Sequence, residues 1–150
     1  MVQGTKGGEV FLGEYKHTMD SKGRIVIPSK FRKELQQGCV VTKGLDNCLQ
    51  ILTKKNWNQE SEKMASLPST DKTSRQLRRA LFSGAVDSSL DSAGRIQIPE
   101  NLRMYSSIKE NDDVTVTGSG PVIEIWATKT WKKIQSDSDD AFANINEVKG

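Results

Sequence analysis

Two aspartate–arginine pairs, Asp20 with Arg24 and Asp91 with Arg95, occur at the same D-x-x-x-R spacing. In a turn, an aspartate carboxylate can accept hydrogen bonds from backbone amides, and an arginine offers five donors in a rigid fork. One interpretation is structural: the aspartate caps a turn and pairs with its own arginine. The other is functional, because an outward-facing arginine that occurs twice at one place is not needed for folding. The sequence leaves both interpretations open.

The residues around these pairs form an internal repeat. LDSAGRIQIPENLR (90–103) follows MDSKGRIVIPSKFR (19–32) at an offset of 71 positions. A three-residue insertion then shifts the offset to 74 and matches Val40, Ile51 and Trp57 with Val114, Ile125 and Trp131. The repeat predicts copy one (residues 12–57), a helical linker (58–82), copy two (83–131) and a C-terminal helix with a flexible tail (132–150), of which SDSDDAFANINEVKG (136–150) is expected to fray. Residues 1–10 are also expected to be flexible.

Both copies predict the same order of elements. In copy one an extended run ends at Met19, and the following Asp-Ser-Lys-Gly forms a tight turn. The next strand alternates, so that Ile25 faces the core and Arg24 faces outward. Pro28 cannot donate to a sheet and suits the first turn of a helix. A hairpin and a helix beginning at Thr53 follow. This order predicts an α+β fold.

Charge is distributed unevenly along the chain. Residues 1–82 hold 15 Lys and Arg against 8 Asp and Glu, whereas residues 83–150 hold 7 against 11. A basic front half suggests a polyanionic partner on one face. The chain has no run of about 18 apolar residues, and its N-terminus lacks an apolar signal core. We therefore expect a cytoplasmic protein that does not enter a membrane.

The candidate ligands and nucleophiles are few. Cys39 and Cys48 do not form a C-x-x-C pair, and His17 is the single histidine. A metal site and a cofactor are therefore not expected, and both cysteines are interpreted as reduced, half-buried thiols. Neither a nucleophile–base pair nor a pair of carboxylates is repeated between the copies. We expect neither an enzyme nor a small-molecule substrate.

Residues 10–135 resemble the MraZ family of bacterial transcriptional regulators. The resemblance rests on the doubled D-x-x-G-R-I-x-I-P signature, the hairpins, the Thr…Trp segments and the arginine-rich linker SRQLRRALFSGA (74–85). It implies two SpoVT-AbrB-type swapped-hairpin modules, a β-barrel-like core with peripheral helices, and ring-shaped homo-oligomers in the cytoplasm, associated with the nucleoid. It also implies binding to direct repeats in the promoter of the division and cell-wall gene cluster, including the family's own gene.

The resemblance assigns DNA contacts to the two D-x-x-x-R motifs. Arginine suits a bidentate hydrogen bond to guanine O6 and N7, and the aspartate would hold it in one rotamer. Neighbouring cations are expected to contact phosphates. The predicted DNA-binding residues are Asp20, Lys22, Arg24, Lys30, Arg32, Asp91 and Arg95. Copy two lacks the counterparts of Lys22 and Lys30, so the copies are not expected to contribute equally.

Two alternative functions stay open. One is an oligomeric ring scaffold whose D-x-x-x-R turns form only salt bridges between subunits. The other is an AbrB-like antitoxin, although such antitoxins usually have one module and a disordered toxin-binding tail. Salt dependence separates DNA binding from scaffolding, because contacts to several phosphates weaken steeply as salt rises.

Overall fold

The computed structural model describes residues 10–145, which form eight strands and five α-helices and confirm the α+β prediction. The strands are β1 (Glu14–Thr18), β2 (Arg24–Val26), β3 (Cys39–Lys43), β4 (Leu49–Thr53), β5 (Val86–Ser88), β6 (Arg95–Gln97), β7 (Asp113–Ser119) and β8 (Val122–Ala127). The helices are α1 (Ser29–Arg32), α2 (Lys54–Ala65), α3 (Lys72–Gly84), α4 (Glu100–Ser106) and α5 (Thr128–Ala143). Short 3₁₀ turns follow α1 (Lys33–Leu35) and join β3 to β4 (Leu45–Asn47).

Six strands form one antiparallel sheet in the order β1-β7-β8-β4-β3-β5. The hairpins β3–β4 and β7–β8 each lie within one copy. The first strand of each copy, however, pairs with the other copy: β1 with β7, and β5 with β3. The two hairpins meet in the middle of the sheet through β4 and β8. The copies therefore exchange strands and build one sheet together.

The remaining strands, β2 and β6, form a separate two-stranded antiparallel ribbon. Ile25 lies opposite Ile96, and these residues hold the same position in their respective copies. On either side, Ile27 N donates to Gly94 O and Ile98 N donates to Gly23 O, both at 2.9 Å. An approximate two-fold axis therefore passes between Ile25 and Ile96.

The sheet does not close into the predicted barrel within residues 10–145, because β1 and β5 remain its two edges. The reason lies in the short strands after the Asp-Ser-x-Gly turns. β2 and β6 are three residues long and are followed two residues later by Pro28 and Pro99. Proline has no backbone N–H to donate to a sheet. The prediction is corrected to an open sheet with a separate ribbon.

One apolar cluster contains buried side chains from both copies. Ile25 and Ile27 of copy one and Ile96 and Ile98 of copy two are completely buried in it. Burying one such side chain contributes about 1.5–3 kcal/mol. Because the cluster draws on both copies, neither copy has a core of its own.

The sheet register corrects one detail of the internal alignment. His17 lies opposite Val114, and its counterpart Ser88 lies opposite Cys39. Cys39, rather than Val40, therefore holds the place of Val114 in its copy. Cys39 and Val40 are both apolar and buried, so the sequence pattern alone could not show which of them corresponds to Val114.

The helices follow most of the predicted boundaries. Thr53 caps α2 by accepting a hydrogen bond from Asn56 N at 3.1 Å, and residues 66–71 separate α2 from α3. The prediction that residues 136–150 fray is wrong for residues 136–143, which continue α5. Once a helix has started, each further residue adds one hydrogen bond. Residues 1–9 and 146–150, where flexibility was predicted, lie outside the described residues.

Cys39 and Cys48 are free thiols, and both are completely buried rather than half-buried. Burial raises the pKa of the Cys39 thiol to about 11 and that of the Cys48 thiol to about 12. A thiol with so high a pKa is protonated at neutral pH and unreactive. This agrees with the interpretation of reduced cysteines.

Candidate nucleic-acid interface

The turn of copy one is held together by the carboxylate of Asp20. Its Oδ1 accepts hydrogen bonds from Lys22 N and Arg24 N, both at 2.9 Å. The backbone closes the same turn, because Gly23 N donates to Asp20 O at 3.1 Å and Asp20 N donates to Arg24 O at 2.9 Å. Gly23 has a φ of 77°, a conformation that glycine adopts without strain.

The same carboxylate orients the Arg24 side chain. Arg24 Nε donates to Asp20 Oδ2 at 2.8 Å. Hydrogen bonds to the carboxylate, first of all from Arg24 N, lower the pKa of Asp20. The Arg24 side chain is 26% exposed, and among residues 10–145 its Nη atoms form no hydrogen bond. Asp20 therefore fixes the guanidinium through Nε and leaves its outer donors unengaged.

Copy two repeats this geometry. Asp91 Oδ1 accepts from Ala93 N at 3.0 Å and from Arg95 N at 2.9 Å, and Arg95 Nε donates to Asp91 Oδ2 at 2.8 Å. The hydrogen bond from Arg95 N is again the main cause of a lowered Asp91 pKa. Both D-x-x-x-R motifs are therefore capped turns and oriented arginines at once, so the structural interpretation does not exclude the functional one.

The ribbon brings the two arginines onto one face. Arg24 lies opposite Gln97, and Arg95 lies opposite Val26. These four residues alternate with the buried Ile25–Ile96 pair, so their side chains share the outer face. Arg24 and Arg95 are diagonal neighbours, a relation that corresponds to a spacing of roughly 7–8 Å. The sequence predicted two separate motifs, and the structure combines them in one surface.

Each turn is supported by an arginine of the other copy. The Arg103 guanidinium of copy two covers Gly23, where an added Cβ would come within 3.0 Å of Arg103 Cζ. Reciprocally, the Arg32 guanidinium of copy one covers Gly94 so closely that a Cβ there would overlap it. Arg32 Nε donates to Ile27 O at 2.8 Å, whereas Arg103 Nε is buried without a hydrogen-bond partner among the described residues.

Gln97 adds a contact that only the turn of copy one receives. Its Nε2 donates to Lys22 O at 2.8 Å and to Gly23 O at 3.4 Å. Its counterpart Val26 has no donor to offer the other turn. Gln97 and Arg103 were not among the residues predicted from the sequence, because their roles depend on the pairing of β2 with β6. The signal that could have revealed them is that Arg103 repeats Arg32 at the same offset of 71 positions.

The other predicted site residues lie in different places. Lys22 is exposed on the turn beside Arg24. Lys30 is exposed on α1 and lines a shallow groove with Leu12 and Glu34, away from the turn. Arg32 lies against the turn of copy two. The burial of His17, and after it the positive charge of Arg32, lowers the pKa of His17. The structure therefore brings together both Asp–Arg pairs and Lys22, but not Lys30.

The fold and the site define a tandem duplication whose two α+β copies exchange strands and present paired Asp–Arg turns. A protein-family model described as "MraZ protein, putative antitoxin-like" matches the chain twice, at residues 10–80 and 81–148. Since the two matches span nearly the whole chain, it belongs to the MraZ family. The family matches meet inside α3, whereas the finer division into two copies, linker and tail stays a prediction.

No helix within residues 10–145 is long and apolar enough to cross a membrane. In the same part of the chain, His, Cys, Asp and Glu side chains do not gather in groups of three that could hold a metal ion.

Proposed function

We propose that the protein is a sequence-specific DNA-binding regulator of transcription. The observation that supports this is the outer face of the β2–β6 ribbon, where each arginine is bound through Nε and has unengaged Nη atoms. Such a guanidinium can donate two parallel hydrogen bonds to guanine O6 and N7. A two-stranded ribbon also fits the major groove, which is about 12 Å wide. We propose that it has no enzymatic activity and uses neither a cofactor nor a small-molecule substrate.

Asp20 and Asp91 contribute to this proposal by preorganisation. Each carboxylate holds its arginine before DNA arrives, so less side-chain freedom is lost on binding. The same carboxylates accept backbone amides and keep the turns rigid. They are positioning residues rather than base contacts.

The proposed phosphate contacts differ in their support from the structure. Lys22 is exposed next to Arg24 and can set the position of the ribbon on the duplex. Lys30 would have to reach a phosphate farther along the groove. Arg32 donates to Ile27 O and covers Gly94, so we propose that it acts mainly by supporting the turn of copy two.

The regulated genes and the assembly are proposed from the family. The operator would consist of direct repeats in the promoter of the division and cell-wall gene cluster, a cluster that includes the protein's own gene. The protein would act in the cytoplasm, at the nucleoid. One ribbon offers too few contacts for typical specific affinities, on the order of 10⁻⁸ M or tighter. A ring-shaped homo-oligomer makes further contacts intramolecular and can raise avidity by roughly 10²–10⁴.

An antitoxin is the second candidate, because the matching family is described as antitoxin-like. A scaffold that uses the D-x-x-x-R turns for salt bridges between subunits has less support. Both carboxylates already accept three hydrogen bonds within their own turns.

The test is a fluorescence-anisotropy titration with duplex DNA from upstream of the protein's own gene, against a shuffled duplex. We expect Arg24→Ala to lose about 1–3 kcal/mol of specific binding for each engaged arginine while keeping its circular dichroism. Lys109→Ala removes the same charge from an exposed site outside the ribbon and serves as the matched control. Wild-type affinity of Arg24→Ala for the promoter duplex would contradict the proposal.

The repeats are tested with operators that carry one, two or three of them. Adjacent half-sites about 10 bp apart meet the same face of the duplex. An insertion of about 5 bp rotates one site to the opposite face, and we expect it to abolish the avidity gain. Full affinity on a single repeat would exclude the multivalent assembly.

A further inference from the structure

The two copies differ in whether a second helix packs on the helix that follows their hairpin, which is α2 in copy one and α5 in copy two. In copy one, α3 lies beside α2: Thr42 Oγ1 donates to Leu81 O at 2.9 Å, and the rings of Trp57 and Phe82 meet edge to face at 5.7 Å. In copy two, no helix within residues 10–145 takes this place beside α5. Trp131, the counterpart of Trp57, keeps a buried indole N–H without a hydrogen-bond partner in the described chain.

The apolar side of α5 also continues past the sheet without cover. Trp131 and Ile134 are half-buried, and Phe142 follows at a spacing that keeps it on the same side of the helix. Phe142 is nevertheless 79% exposed. An amphipathic helix face of this kind requires a partner to bury it.

The end of α5 is acidic as well as apolar. Asp137, Asp139 and Asp140 lie in its second half, and no cation lies between residues 134 and 145. We call residues 137–143 the acidic end of α5, in which Asp139, three residues before Phe142, borders the apolar side. A partner for this segment needs exposed apolar side chains bordered by positive charge.

Helix α3 has that chemistry. It carries four cations and no carboxylate between residues 72 and 84. Arg75 and Arg78 donate to backbone carbonyls of the α2–α3 connection. Lys72 and Arg79, two turns apart on the outer side, form no ion pair within residues 10–145. Phe82, three residues after Arg79 and on the same side of the helix, is 39% exposed.

The two helices lie at opposite ends of the sheet. α3 packs on β3, next to the edge strand β5, whereas α5 packs on β7 and β8, next to the edge strand β1. A contact between the acidic end of one chain and the α3 of a second chain would therefore be head-to-tail. Repetition of such a contact produces a ring when the rotation between subunits closes.

We propose that the acidic end of α5 docks on α3 of a second copy of this chain. The contact rests on the homo-oligomer of the proposed function and is independent of DNA readout. It buries Phe142 and Phe82 against each other's helices, and the opposite charges beside them fix the orientation of the pair and speed the encounter.

Charge reversal tests the contact. Ser138→Lys/Asp139→Lys makes both faces basic, and Lys72→Glu/Arg79→Glu makes both faces acidic. We expect each double variant to lose at least about tenfold in assembly affinity, because like charges then face each other. Mixing the two variants in equal amounts places opposite charges at every contact, and we expect the wild-type mass to return.

The readout is native mass by light scattering and mass photometry, without DNA. Lys109→Glu and Glu110→Lys, on an exposed loop, are the matched controls, and we expect both to keep the wild-type mass. Phe142→Ser tests the apolar part without touching the core, and we expect it to weaken assembly.

The possible outcomes distinguish a failure of this contact from a failure of the proposals above. A monomeric wild type would refute the homo-oligomer itself. Wild-type mass in both double variants, or no recovery on mixing folded variants, would overturn the α5–α3 contact while leaving the oligomer standing. Loss of DNA affinity with unchanged mass in Lys72→Glu/Arg79→Glu would assign α3 to DNA and likewise overturn the contact.

Discussion

Substituting Ile96 with alanine is expected to destabilise copy one as much as copy two. Ile96 belongs to copy two, is completely buried and lies opposite Ile25 on the approximate two-fold axis. Truncating a buried isoleucine to alanine costs about 2–5 kcal/mol. For a chain of this length the corresponding decrease in Tm is roughly 4–20 °C.

Both copies lose stability because most of their paired strand residues join one copy to the other. Four strand pairs join the copies, with five, three, three and three residue pairs. The two hairpins within the copies contribute five and six. A copy without its partner keeps its hairpin but loses the partners of its first two strands. We therefore expect one cooperative unfolding transition.

Amide hydrogen exchange measured by mass spectrometry separates the copies within one experiment. Peptides from β3 and β4 report on copy one, and peptides from β7 and β8 report on copy two. Because the slowest amides exchange through global unfolding, we expect Ile96→Ala to accelerate both sets by the same factor. Acceleration confined to β7 and β8, with β3 and β4 unchanged, would refute the shared core. Ile25→Ala is the mirror-image control.

Three further outcomes are expected. Gln97→Val removes one neutral hydrogen bond from the turn of copy one, and we expect Tm to fall by roughly 1–6 °C and promoter affinity to fall because the turn is held less rigidly. Lys22→Ala/Lys30→Ala is expected to lower the salt slope of binding more than Arg95→Ala does; an equal or larger change for Arg95→Ala would reverse this ranking. Because hydrogen bonds lower the pKa of Asp91 in the folded state, its stabilising contribution is complete above the ordinary aspartate pKa of about 3.9 and is lost as pH falls through the lower folded value. A pH titration of Tm is expected to show a smaller decrease at acidic pH for Asp91→Asn than for the wild type.

The order of elements was predictable from the sequence because each is encoded locally. The Asp-Ser-x-Gly turns, the alternation after Arg24 and the caps of α2 and α3 all depend on residues a few positions apart. The partners of the strands were not predictable in this way. Period-two alternation shows which face of β1 is buried, but not that β1 pairs with β7 of the other copy.

The candidate site, too, was predictable only where its contacts join residues close in sequence. Asp20 and Arg24 were identified because their interaction spans four residues. Gln97 acts across 75 positions on Lys22 O, and the Arg32 contact with Gly94 crosses from one copy to the other. The single register Ile25↔Ile96 creates both contacts, and a sequence repeat does not specify how its two copies are paired. The end of α5 was missed for another reason, since the polar composition of residues 136–143 hid the continuing apolar position Phe142.

Contact between Arg24 and a guanine is tested most directly by combining Arg24→Ala with 7-deazaguanine in the operator. The modified base lacks N7 and so removes one of the two acceptors for arginine. At the contacted guanine we expect the modification to weaken the wild type by about 1–3 kcal/mol and to leave the affinity of Arg24→Ala unchanged, because the contact is already absent. Equal weakening of both proteins at every guanine of the operator would contradict base readout by Arg24.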